Sequence, residues 1–273
     1  MLDSERRLVA ASPAAAEALG DVAPGRRLNE ETLAEPGDVL VLFLDSPPEL
    51  SAYQELRAGF TAAVSHELRT PLARMLVLLE TATLPEANVD ELVEQARQEV
   101  AQARELIDDV LFLGELETGR EVVTLGPTLA QPIVAEVVEQ FSARAERAQV
   151  ELVTRVDPEI ELPLRPRMLR VVLENLVTNA IRYAGLGTRC TISVADDGGG
   201  PVLSVADDGK GVSAADVPRL FERFYRADQA RSSRGTGLGL AIVKHVVTAA
   251  GGSVEARSEP GQGVEVIARF PGV

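Results

Sequence analysis

The chain has 273 residues, of which 45% are hydrophobic, so it can bury a core and divide into one to three globular domains. Its net charge of −15 argues against nucleic acid as a partner, because phosphate binding needs a basic surface. The lone cysteine, Cys190, excludes an internal disulfide, and the longest aliphatic run, Val39 to Leu44, is too short to cross a membrane. We expect a cytoplasmic protein without thiol or zinc chemistry and without a membrane segment in this chain.

The first part of the chain is short and mixed in character. Residues 1–48 combine strand-like pieces with an Ala-rich stretch and several Gly and Pro residues. The negative charge lies mainly beyond them: residues 1–48 carry −5, residues 49–118 carry −9 and residues 119–273 carry −1. A solvated helical face explains such acidity, and electrostatic steering of a protein partner is the alternative.

Two long helices are predicted next. Between about Glu49 and Thr83, apolar residues recur at steps of three or four: Leu56, Phe60, Val64, Leu68, Leu72, Met75 and Leu79. Between about Asp90 and Glu117 they form a heptad: Val93, Ala96, Val100, Ala103, Ile107 and Val110. Two antiparallel helices with broad apolar stripes cannot fill their own core, so we expect a second copy to complete a four-helix bundle.

One of the two histidines, His66, lies on the first helix. It follows Val64 by two residues, a rotation of about 200°, so it points away from the apolar stripe. Glu67 is its neighbour, Thr70 lies one turn along, and Pro71 removes a helical hydrogen bond, which predicts a bend. This makes His66 a candidate nucleophile, although an ordinary surface histidine has the same placement.

From about Glu121 the pattern changes to alternating strands and helices, typical of an α/β sandwich with mostly antiparallel strands. Strands are predicted near 121–125, 150–156, 190–195, 201–207, 253–258 and 263–269. Helices are predicted near 129–148, 166–184 and 238–250.

Three polar clusters interrupt this pattern. In the first, Asn175 and Asn179 are four residues apart on one helix face and offer amide oxygens as hard ligands, while Arg182 can reach a phosphate. Amides at this spacing also serve purely structural roles.

The second cluster follows a strand and contains Asp207, Gly209 and Gly211. A carboxylate only accepts hydrogen bonds, so Asp207 suits the exocyclic amine of adenine and opposes the carbonyl of guanine. A tight turn would need the same glycines.

The third cluster, Gly235 to Gly239, opens a helix with exposed amides and the positive end of its dipole, which is a phosphate site. It differs from the dinucleotide fingerprint, because Leu240 stands where that motif has glycine. The polar stretch Asp228 to Arg234 before it is predicted to be a lid over the nucleotide.

In this order the three clusters resemble the ATP-binding domain of the GHKL superfamily, the Bergerat type. With the run Ser65 to Leu72 upstream, the chain resembles a sensor histidine kinase of two-component signalling with a HisKA dimerization domain, and Leu220 to Arg226 matches the family's phenylalanine box. The resemblance covers about residues 50–270. It implies an α+β multidomain chain in three parts: a shortened PAS-like segment (1–48), a dimerization and phosphotransfer hairpin (49–119) and an ATP-binding HATPase catalytic domain (120–273).

The resemblance also implies an activity and site residues. His66 would take the γ-phosphoryl group of ATP and pass it to an aspartate of a response regulator receiver domain. Glu67 would accept the ring proton, and Thr70 would orient water for phosphatase activity toward that partner. Asn179 would bind Mg²⁺ and Asp207 would bind adenine. The whole implied ATP site comprises Asn175, Asn179, Arg182, Tyr183, Asp207, Gly209, Gly211, Gly235, Thr236, Gly237, Leu238 and Gly239.

Position 175 separates this chain from the ATP-hydrolysing members of the superfamily. Those relatives carry a Glu there to activate water, whereas an Asn cannot act as a base at neutral pH.

Two other classes of protein remain possible from the sequence. One is a scaffold that binds nucleotide without catalysis, and the other is a protein serine kinase of the anti-sigma type, which lacks the helical hairpin.

Overall fold

A computed structural model of the chain describes the backbone of residues 48–118, 126–227 and 235–272, with side chains from residue 60 onward. The chain divides into two compact units, Met1–Ala62 and Ala63–Val273, and the side-chain contacts reported below lie within the second. The PAS-like segment, up to residue 47, and the strand predicted near 121–125 lie outside the described residues. Within the described ranges, no helix is both long and apolar enough to cross a membrane.

Two long helices begin the described chain: α1 (Pro48–Thr81) and α2 (Val89–Glu117). Their bounds agree with the predicted ones to within two residues. They run antiparallel, because Arg74 of α1 lies 3.6 Å from Glu99 of α2 while Leu78, further along α1, shares a groove with Glu94, earlier on α2. Helix α1 continues through Pro71, which is buried.

The described chain after these helices forms an α/β sandwich. Its helices are α3 (Ala130–Arg147), α4 (Pro166–Tyr183) and α5 (Gly239–Ala249). Its strands are β1 (Thr128–Leu129), β2 (Val150–Val156), β3 (Glu161–Leu162), β4 (Thr188–Asp196), β5 (Pro201–Asp207), β6 (Ser253–Ser258) and β7 (Val264–Arg269). The main sheet has the order β2-β4-β5-β7-β6, in which β2 and β4 pair in parallel and the other neighbours are antiparallel. The predicted fold class is confirmed.

The core lies between one face of this sheet and the helices. Alternate residues of the central strands, such as Ile192 on β4 and Leu203 on β5, are fully buried, as the two-residue period of a strand requires. Helix α4 starts with Pro166, whose missing N–H costs no helical hydrogen bond at that position. Its apolar face, including Leu169 and Leu173, is also fully buried, which leaves the polar side of α4 for the site described below.

Helix α2 has two apolar stripes with different surroundings. Leu106 and Leu113 are buried, with 3% and 1% of their surface exposed, and α2 packs against α5. The heptad stripe predicted from the sequence stays open, with Val93, Val100 and Ile107 exposed by 45–54%. Leu72, Leu76 and Leu79 of α1 are similarly exposed. A single chain thus leaves uncovered the faces that a four-helix bundle would bury.

Candidate functional site

A cavity of about 600 Å³ lies among α4, the loop after β5 and the start of α5, which is within the range of about 300–1,000 Å³ of small-molecule sites. Ten of the residues predicted to bind nucleotide line it: Asn175, Asn179, Arg182, Tyr183, Asp207, Gly211, Gly235, Thr236, Gly237 and Gly239. Folding therefore gathers the three sequence clusters around one space.

The two asparagines of α4 have different surroundings. Nδ2 of Asn175 donates to the Val171 carbonyl at 2.8 Å, and a Cβ on Gly239 would lie 2.5 Å from Oδ1 of Asn175. Glycine at 239 therefore allows α5 to begin directly against α4. Asn179, one turn further on, also lines the cavity, and its amide oxygen would be a suitable ligand for Mg²⁺.

Asp207 lies at the end of β5, where its Oδ1 accepts the N–H of Gly209 at 2.9 Å. Burial raises the pKa of Asp207, and the backbone N–H groups of Gly209 and Val264 oppose that rise. Gly263, which no sequence motif indicated, lies against the same residue: a Cβ on Gly263 would lie 1.8 Å from the carbonyl oxygen of Asp207. This glycine lets the turn between β6 and β7 pack directly on the backbone at Asp207, where the loop after β5 begins.

Gly209 and Leu238 do not line the cavity. A Cβ on Gly209 would lie 2.4 Å from Cα of Ala184, so this glycine lets the loop after β5 pack against the end of α4. Leu238 is fully buried, and its N–H lies 3.2 Å from the Thr236 hydroxyl. Both residues therefore support segments that line the cavity without lining it themselves.

The glycine segment meets the phenylalanine box at Gly237. This residue has a φ of +70°, and its carbonyl accepts the N–H of Phe224 at 2.9 Å. The bond joins the chain before the predicted lid to the chain after it. The lid itself, residues 228–234, lies outside the described residues. Beyond Gly237, the first amides of α5 are available for an anion.

A polar cluster that the sequence analysis missed forms part of the wall near the phenylalanine box. The Tyr225 hydroxyl donates to Asp216, the Arg219 guanidinium lies 4.1 Å from the centre of the Tyr225 ring, and Ser213 donates to Asp216 at 2.7 Å. The hydrogen bond from Tyr225, followed by that from Ser213, lowers the pKa of Asp216. These contacts tie the chain before the lid to the loop after β5.

Two carboxylates of α2 also line the cavity, which the sequence analysis did not predict. Arg182 donates to both carboxylate oxygens of Glu105, at 2.8 and 2.9 Å, and the Thr236 hydroxyl donates to Asp109 at 2.7 Å. Burial raises the pKa of Asp109 to about 6. The four-residue spacing of these acids, within the most acidic part of the chain, was the sequence signal available.

His66 lies away from these groups. Its side chain is 75% exposed, its Nδ1 lies 3.5 Å from Oε1 of Glu67, and neither residue lines the cavity. The Thr70 hydroxyl lies 3.5 Å from the His66 carbonyl oxygen. The structure therefore brings His66 and Glu67 together but does not bring them to the predicted ATP site.

Comparisons with known proteins match both parts of the chain. Residues 56–119 match the family described as His Kinase A (phospho-acceptor) domain, and residues 165–273 match the histidine kinase-, DNA gyrase B- and HSP90-like ATPases. The sensor-like histidine kinase SenX3 of Mycolicibacterium smegmatis is 35% identical over 228 residues, which are 82% of this chain and 59% of SenX3. The chain thus spans about three fifths of the length of that relative.

Two solved structures are similar as well. Full-length ShkA in complex with AMPPNP matches with a TM-score of 0.57 and 31% identity, over 77% of this chain and 45% of ShkA. The histidine kinase ThkA in complex with the response regulator protein TrrA matches with a TM-score of 0.64 over 84% of this chain and 68% of ThkA. At 20% identity, the likeness to ThkA concerns the fold alone.

The α/β sandwich, with its strand order β2-β4-β5-β7-β6 and its family match, is a GHKL-type ATP-binding domain, and the helical hairpin before it matches a phospho-acceptor domain. The two family matches and the relatedness to SenX3 show that the chain belongs to the sensor histidine kinases of two-component systems.

Proposed function

We propose that the chain is an ATP-dependent protein-histidine kinase that phosphorylates His66. The observation that carries this proposal is the cavity, which collects ten predicted nucleotide-binding residues from three separate segments. The matching ShkA structure contains AMPPNP, a nucleotide with the adenine and phosphate groups that this cavity would have to bind.

The lining residues suit the two ends of ATP. Asp207 accepts the adenine amine in a partly buried place, where the choice of acceptor discriminates against guanine. Arg182, Tyr183 and the amides from Gly235 onward suit the phosphates. Asn179, together with phosphate oxygens, would hold Mg²⁺, which would supply charge neutralisation during the transfer.

The phosphoacceptor step follows from the position of Glu67. With a proton on Nδ1 facing Glu67, the lone pair of Nε2 is free to attack the γ-phosphorus. The Nε2–P bond forms as the bond from phosphorus to the bridging oxygen of ADP breaks, and Glu67 takes the Nδ1 proton. Because His66 does not line the cavity, the transfer requires the ATP-binding part to approach it.

The phosphoryl group is then passed to an aspartate of a response regulator. Because the reaction uses ATP from the cytoplasm, this part of the protein acts there. Thr70, near His66 on α1, orients water for the hydrolysis of that aspartyl phosphate. Replacement of Thr70 by Ala should reduce dephosphorylation of the partner while autophosphorylation persists. Unchanged dephosphorylation would remove Thr70 from this role.

The functional unit is a homodimer. The exposed stripe of Val93, Val100 and Ile107 would be buried in a four-helix bundle. Because about half of each side chain is already covered, this burial would stabilise the dimer by about 0.7–1.5 kcal/mol for each of them. Val100→Glu should give monomers in sedimentation at micromolar concentration, whereas Leu186→Glu, at another exposed apolar position, should leave the dimer intact. A wild-type monomer would contradict this proposal.

One experiment separates the kinase from its alternatives. Incubation with labelled ATP and Mg²⁺ should place an acid-labile, alkali-stable label on the chain. The label should disappear in His66→Gln and persist in His245→Gln, which changes the other histidine. ATP binding without any label would favour a scaffold, and an acid-stable label on an added protein would favour a serine kinase.

A further inference from the structure

Arg182 already has an anionic partner in this structure. Its guanidinium bonds both carboxylate oxygens of Glu105 on α2, and its side chain is 19% exposed. Both bonds come from one guanidinium nitrogen, Nη2, whose N–H groups can bind phosphate oxygens through the same kind of charge-assisted hydrogen bond. Glu105 therefore holds the donors that the proposed function assigns to ATP.

A second cation lies near the same carboxylate. Burial and the charge of Arg182 lower the pKa of Arg144 on α3, while Glu105 raises it. Glu105 thus lies in the field of two arginines at one end of the cavity. Without this carboxylate, the same positive field would favour the phosphates of a nucleotide.

The contact continues along α2. Asp109, one turn after Glu105, accepts the Thr236 hydroxyl of the predicted phosphate loop. Further on, the Arg167 guanidinium lies 5.6 Å from the centre of the Phe112 ring, and Arg223 forms an ion pair with Glu117. One face of α2, from Glu105 to Glu117, is therefore docked on the ATP-binding domain.

We propose that the docked face of α2 is an autoinhibitory contact, with the Glu105–Arg182 ion pair as its latch. The carboxylates of Glu105 and Asp109 occupy the phosphate end of the cavity, so the phosphates of ATP and the docked α2 compete for Arg182 and Thr236. Adenosine, which lacks phosphates, does not compete. This inference rests on the proposed ATP site. By thermodynamic linkage, bound ATP must weaken the docking of α2 by the same factor by which the docking of α2 weakens ATP binding.

Calorimetry on the whole chain tests the latch with AMPPNP and Mg²⁺, and with adenosine as the probe without phosphates. Glu105→Gln keeps the shape of the side chain and removes its charge, so it should bind AMPPNP about tenfold more tightly than the wild type. Its affinity for adenosine should not change. Glu94→Gln, the same substitution at an exposed place on α2 away from the cavity, should bind both compounds like the wild type.

Hydrogen exchange supplies a second measurement. AMPPNP should raise exchange in residues 105–117 of the wild type, and Glu105→Gln should show raised exchange without nucleotide. AMPPNP affinity in Glu105→Gln equal to that in Glu94→Gln overturns the latch while leaving ATP binding in place. Tighter binding of adenosine as well would mean that the cavity had opened generally, which also overturns the competition for phosphate. If the wild type and Glu105→Gln bind neither compound, the proposed ATP site and the latch are both wrong.

Discussion

Lowering the pH from 8 to 5 should strengthen the docking of α2 through Asp109 and so weaken ATP binding. In the docked arrangement burial raises the pKa of Asp109 from 3.8 to about 6. The Thr236 hydrogen bond and the charge of Arg182 oppose this rise, whereas the charges of Glu105 and Asp108 add to it. Undocked, the carboxyl should regain its ordinary pKa. Docking therefore takes up a proton, and it is favoured as the pH falls through 6.

The two pKa values set the size of the effect. Between pH 8 and pH 5, protonation of Asp109 favours the docked arrangement by at most about 1.4 kcal/mol, or about tenfold. Most of this change should fall between pH 7 and pH 5. Below about pH 3 the carboxyl is protonated in both arrangements, so Asp109 contributes no further change.

The assay compares AMPPNP affinity in the wild type and in Asp109→Asn at pH 8 and at pH 5. At pH 8 the variant should bind more weakly, because an amide docks without burying a charge and can still accept the Thr236 hydroxyl. At pH 5 the two affinities should be about tenfold closer than at pH 8, and their ratio cancels the titration of the nucleotide itself. Asp108→Asn, at the exposed neighbouring position, is the control. A ratio for Asp109→Asn that is the same at both pH values would refute the reasoning.

Three further predictions concern single side chains. Gly209→Ala should cost about 1–3 kcal/mol of unfolding free energy in urea and weaken ATP binding, because its Cβ would meet the Ala184 backbone at 2.4 Å. Gly114→Ala, in α2 with open space around it, should instead add about 0.5–1 kcal/mol, and equal losses in both would contradict the packing argument. Asp207→Ala should weaken ATP binding about tenfold or more and reduce discrimination against GTP in calorimetry, whereas retained discrimination would place adenine elsewhere. Burial raises the pKa of the Cys190 thiol to about 12, so iodoacetamide at pH 8 should label it in urea but not in the folded protein; rapid labelling of the folded protein would show that the sheet opens there.

Much of the fold follows from patterns that are local in the chain. Strands β5 and β6 begin and end at the predicted residues, and α1 and α2 agree within two residues. Periodicity succeeds here because the direction of a side chain on a helix or strand depends on its neighbours in sequence. The grouping of Asn175, Asp207 and Gly235 into one site came from the order of motifs that resemble a known family, and the cavity contains all three.

The sequence alone thus indicated the long helices, the main strands and the fold class, and it predicted which residues are suited to bind ATP. Tertiary structure decided what those residues contact. Arg182 pairs with Glu105 across 77 positions and Thr236 with Asp109 across 127, and no local pattern encodes which helix face will meet which loop. Packing likewise placed Gly209 and Gly263 against backbone that is distant in sequence, at Ala184 and Asp207. These contacts depend on how whole elements dock, because the free energy of docking comes from surfaces assembled from many segments.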